Sequence, residues 1–155
     1  MASKQEHIDK IIHNLELLGE INSVSGDYFD WRITLIYYSI VHLVDAFLDQ
    51  HGPGDHPRNH DERKRMIGGG KVPVPIKTKY IQLESISKLS RYISNDPADH
   101  NASFGNTDMY LFKAMELAQE IITDLTSRLS VTIPITVVKS QELTKNNRLA
   151  HFKAK

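Results

Sequence analysis

The stretch DWRITLIYYSIVHLVDAFLDQHG, Asp30 to Gly52, decides the fold. Its apolar residues run from Trp31 through Ile33, Leu35, Ile36, Tyr37, Tyr38, Ile40, Val41, Leu43, Val44 and Phe47 to Leu48, and they cover most of a helical circumference. A helix with one wet face shows a narrower stripe. This one, predicted over about Tyr28 to Gln50, therefore packs on more than one neighbour, which places it at the centre of a bundle.

The flanking segments supply those neighbours. Upstream, Ile8, Ile11, Ile12, Leu15, Leu18 and Ile21 recur at helical spacing. Between the two segments, SVSGD offers Ser25 and Asp27 as caps and Gly26 as a turn. Downstream, HGPGDHP breaks the pattern, and Asp55 or Asn59 is placed to cap a short helix ending near Met66. GGGKVPVP, Gly68 to Pro75, reads as a linker that is flexible at its glycine end, because it lacks both the spacing of a phosphate loop and a preceding strand. A further helix is expected over about Ile76 to Ile93, and another over Thr107 to Leu129 with Asn106 or Thr107 as its cap; SNDPADHNASFGN between them reads as a loop.

Beyond Leu129, SVTIPITVV is β-branched and interrupted by Pro134, so it is expected to be extended and without a partner strand in its own chain. Residues 139–155 carry five Lys/Arg against Glu142 alone, whereas residues 1–50 carry three against eight Asp/Glu. The predicted architecture is all-α: a four-to-five-helix up-down bundle over residues 1–129, then an extended C-terminal arm and a basic, mobile tail over 130–155. With 40% hydrophobic and 25% charged residues, the 155-residue chain has the composition of one soluble globular domain. No unbroken apolar run reaches the roughly 18 to 20 residues of a membrane span, and the N-terminus lacks the apolar core of a signal peptide. Cysteine is absent, which excludes disulfides and thiolate metal sites and accords with a cytoplasmic setting without membrane attachment.

The chemistry-bearing stretch is DHPRNHDERKR, Asp55 to Arg65. Its His56 and His60 form an H-x3-H pair, but Pro57 puts His56 at or before the first turn, so the pair reads as helix-start polarity rather than as a zinc site. In the apolar helix, Tyr38, His42 and Asp45 share a face. His42 alone would be a satisfied core histidine; with its two neighbours it can form a polar cluster near His60 and Arg63. Trp31 with Tyr28 and Phe29 reads as core or dimer packing rather than a base-stacking platform.

Taken together, Tyr37, Tyr38, His42, Ala46, Leu48 and Gly52, then His60 and Arg63, then Arg91 with Tyr92, resemble the pattern of the HEPN family, named for higher eukaryotes and prokaryotes nucleotide-binding. The resemblance covers about residues 8–129. It implies a helical bundle that often dimerises, and one of several roles. These are a metal-independent endoribonuclease, a toxin held by a protein antitoxin in a toxin/antitoxin or defence system, or a non-catalytic module that binds RNA, a nucleotide or a protein. The family's ribonucleases use arginine and histidine in an R-x(4 to 6)-H motif. Here Arg91 is followed by His100 with eight residues intervening and Pro97 among them. Arg91 and His100 are accordingly the candidate catalytic pair; Tyr38, His42, His60 and Arg63 are the candidate binding residues. No cofactor and no metal are expected. Arginine suits the phosphate because its fork grips two oxygens, and histidine suits proton transfer because it titrates near neutrality.

Overall fold

The computed structural model describes residues 2–25, 28–50, 56–91 and 107–155. Helix α1 spans Lys4–Glu20 and starts with a capping box, in which Ser3 accepts from the Glu6 backbone and Glu6 reaches back to the Ser3 N–H. Helix α2 spans Phe29–Asp49 with Tyr28 at its N-cap, and no side chain caps it. Neither Ser25 nor Tyr28 fills the capping role, and Asp27 lies outside the described residues. A missing cap costs about 1 kcal/mol. Burial outweighs that: Ile33, Leu43, Val44 and Leu48 are fully enclosed, and each such side chain contributes about 1.5–3 kcal/mol.

Helix α2 packs against α1, against α4 (Val74–Arg91) and against α5 (Thr107–Leu129), and α4 also packs on α5. By composition and length α2 passes for a membrane span, contrary to the reading of its sequence, yet 78% of its most apolar window is buried inside the protein. Its three helical neighbours account for that apolarity. Trp31, expected in core or dimer packing, is 59% exposed at the start of α2 and so is not part of the core of this chain.

Helix α3, His60–Met66, is capped by Asn59, whose side chain accepts from the Glu62 N–H at 2.9 Å. The glycines that follow are not a loose linker. Residues Ile67–Lys71 continue α3 in a wider turn, and Gly70 ends it with φ of 84°, a conformation open to glycine.

The C-terminal segment differs most from expectation. Strand β1, Thr136–Val138, pairs in parallel with β2, Phe152–Ala154, and the crossover between them carries helix α6, Gln141–Lys145. Ser140 caps α6 by accepting from the Leu143 N–H. The arm thus has a partner strand in its own chain, and the basic tail is ordered against the bundle. Val138, Leu143, Leu149 and Phe152 join the same apolar core as the helices. Polar clamps fix the docking: Asn22 donates to Val137 O at 2.7 Å and accepts from Lys139 N at 2.7 Å. Arg32 donates to Lys139 O at 2.9 Å, and Asp108 accepts from Glu142 N at 2.6 Å. Lys139, Lys145 and Lys155 stay at the surface while Val138, Ser140, Leu143, Leu149 and Phe152 turn inward, so net charge alone misreads the segment.

Candidate functional site

Of the polar face of α2, Asp45 turns to α3. Asp45, in the apolar helix, accepts from Arg63 Nε at 2.6 Å and from Arg63 Nη2 at 2.7 Å. This is a fork-to-fork ion pair, and both members are buried. Burial opposes the charge on Arg63, but the bonds to Asp45 prevail and hold the guanidinium above its ordinary pKa. Arg63 also approaches His60 Nδ1 with its Nη1 at 3.2 Å. The ion pair is a fixed wall with further groups on either side.

On one side stand aromatic rings and Arg91. The His60 ring stacks on Tyr37 at 6.4 Å between centroids and meets Tyr38 edge-on at 6.3 Å. Arg91, at the end of α4, lies over both Tyr37 and Tyr38, 5.6 Å from each centroid. Its Nη1 donates to the Tyr38 hydroxyl at 3.2 Å, and its Nε donates to Ser87 O. Behind the rings, the hydroxyls of Tyr37 and Tyr80 are 3.3 Å apart. Burial raises the pKa of both, so each remains a neutral phenol. Lys64 and Lys88 both reach the buried carboxylate of Glu84, at 3.3 and 3.1 Å.

On the other side stand the remaining histidines. His42 turns to His7 of α1, with their Nδ1 atoms 3.1 Å apart, and His7 Nε2 lies 2.9 Å from His56 Nε2. His56 precedes α3, which begins at His60, so the H-x3-H pair does not share a helix face. Burial, and then the neighbouring His7, lower the His42 pKa to about 4. Burial likewise lowers His7, against the opposing pull of Asp45. His60 is lowered by burial and by Arg63, yet its ring is exposed to solvent. It is therefore a neutral imidazole within reach of a ligand at pH 7.

No family model, curated protein or solved structure matches this chain.

Of the candidate residues, Tyr38, His60, Arg63 and Arg91 are brought together, while His42 lies across the Asp45–Arg63 pair with His7. His100 lies outside the described residues. The sequence reading missed His7, although it stands four residues before Ile11 and so lies on the inward stripe of α1. It also missed Tyr80, whose place on the α4 stripe gave no sign of the bond to Tyr37. A shallow hollow of about 310 Å³ lined by Glu62, Arg65, Met66, Gly69 and Lys71 shares no residue with this cluster and holds neither histidine nor aromatic ring.

Proposed function

We propose that this chain is an HEPN-like protein that binds a phosphodiester ligand, RNA in the first instance, at the Arg91–Tyr38–His60 surface, and cleaves it without a metal at the reacting phosphate. The carrying observation is that Arg91 is held over two tyrosine rings and against the Tyr38 hydroxyl, beside an exposed neutral imidazole. The rings fix the guanidinium plane.

The chemistry follows from the groups. Arg91 grips the phosphate oxygens and stabilises the charge that builds on the phosphorane. His60 accepts from Arg63 at Nδ1, so its neutral ring carries its proton at Nε2 and donates a hydrogen bond from there to a phosphate oxygen. His100 takes the proton from the 2′-hydroxyl so that its oxygen attacks phosphorus, and gives that proton to the 5′-oxygen as it leaves. Arg63 acts through His60: anchored by Asp45, it positions that ring and fixes its tautomer.

On the strength of the resemblance, the proposal extends to a cytoplasmic homodimer working in a toxin/antitoxin or defence system. The test is digestion of a mixed RNA pool by wild type, Arg91→Ala, His60→Ala and His100→Ala, with and without EDTA. Cutting by wild type alone supports the ribonuclease. Retention of RNA by wild type without cutting leaves the binding module, and neither binding nor cutting rejects the proposal.

A further inference from the structure

A second cluster lies across the Asp45–Arg63 pair from Arg91. The nitrogen or oxygen donors of His7, His42 and Asp45 all lie within 4.8 Å of one another. His7 is 4% exposed and Asp45 3%. The facing Nδ1 atoms of His7 and His42, 3.1 Å apart, make a contact that holds only if one of them carries a proton. A tetrahedral zinc ion with bonds of about 2.0–2.1 Å keeps two ligand nitrogens roughly 3.3 Å apart. The pair already stands at nearly that span.

The far nitrogen of His7 sets which atom is available. With Nε2 2.9 Å from His56 Nε2, His7 can donate there and leave its Nδ1 lone pair facing His42. Ligating histidines commonly donate their other ring N–H to an outer acceptor, a place that the His56 lone pair fills here. Asp45 spends one lone pair of each oxygen on Arg63, and an ionised carboxylate keeps others. The Arg63 charge offsets that of Asp45, while Asp49, one turn further along α2, adds negative charge toward His7. Two imidazoles and a carboxylate suit zinc and its borderline neighbours; calcium and magnesium take oxygen ligands.

We infer that His7, His42 and Asp45 form a site for a zinc-class divalent ion, with His56 as the outer partner that orients His7. Such an ion would tie α1 to α2. The site does not depend on the Arg91 reading and goes beyond it.

The experiment is titration of the chelator-stripped full chain with zinc alone, read by calorimetry and by the imidazole signals in NMR, with magnesium as the comparison. Wild type is expected to take up one zinc per chain and no magnesium, with shifts at His7 and His42 and none at the exposed His13. His56→Ala should weaken binding about 10- to 100-fold, and His7→Gln and His42→Gln by more. The NMR shifts decide the matter should either glutamine variant fail to fold. Absence of zinc uptake, uptake unchanged in both glutamine variants, or shifts confined to His13 would overturn the site and leave a chain of hydrogen-bonded imidazoles.

Discussion

Asp45 of α2 and Arg63 of α3 form a two-bonded ion pair at 2.6 and 2.7 Å, with neither residue more than a tenth exposed. Removing one member strands a buried charge, so Arg63→Ala or Asp45→Ala should cost about 3–5 kcal/mol. Replacing both with apolar residues of similar size should restore much of that loss. Urea denaturation of the metal-free protein compares the two, and a double variant as unstable as either single would deny that the stranded charge is the cause.

His60 also carries a pH expectation. Its pKa is lowered by burial and by Arg63, so it loses its proton at a lower pH than an ordinary histidine. The imidazole should therefore stay neutral as pH falls through about 6.5, the usual histidine value, and take up its proton only below it, which an NMR titration of the ring follows. A midpoint at or above about 6.5 would contradict burial and Arg63 as the groups that govern it.

The docked tail predicts a core cost at a distant position. Phe152 is 1% exposed in the last strand, within the helical core. Phe152→Ala should destabilise the whole protein by about 3–5 kcal/mol, shifting one cooperative melting transition. A change below about 0.5 kcal/mol would mean that the tail contributes nothing to the bundle.

The glycine run gives a contrast within two neighbours. Gly70 has φ of 84°, whereas Gly69 does not, and a Cβ would meet nothing within 4 Å at either. Gly70→Ala should cost about 1 kcal/mol, and Gly69→Ala should stabilise by roughly 0.5 kcal/mol through the unfolded chain. Equal effects in thermal melts would contradict the turn.

The central helix was legible because its apolar residues fill a circumference, and α3 because Asn59 begins a local pattern. Tyr38, His42 and Asp45 were legible as one face for the same reason: helical spacing is short-range. The tail was not. A parallel pair needs a crossover, and nothing within Thr136–Val138 points to Phe152–Ala154 across α6. The split of the polar cluster into an Arg91 side and a His7 side was hidden too, since it depends on where α1 and α4 dock on α2. Chain position says nothing of that.

The most direct measurement is equilibrium binding of a labelled single-stranded RNA to wild type and Arg91→Ala across a range of salt. The expected result is at least about tenfold weaker binding by Arg91→Ala, with the dependence on salt reduced by about one phosphate contact, and an unchanged circular dichroism spectrum. Equal affinity and equal salt dependence in the two proteins would contradict the placement of the ligand at Arg91.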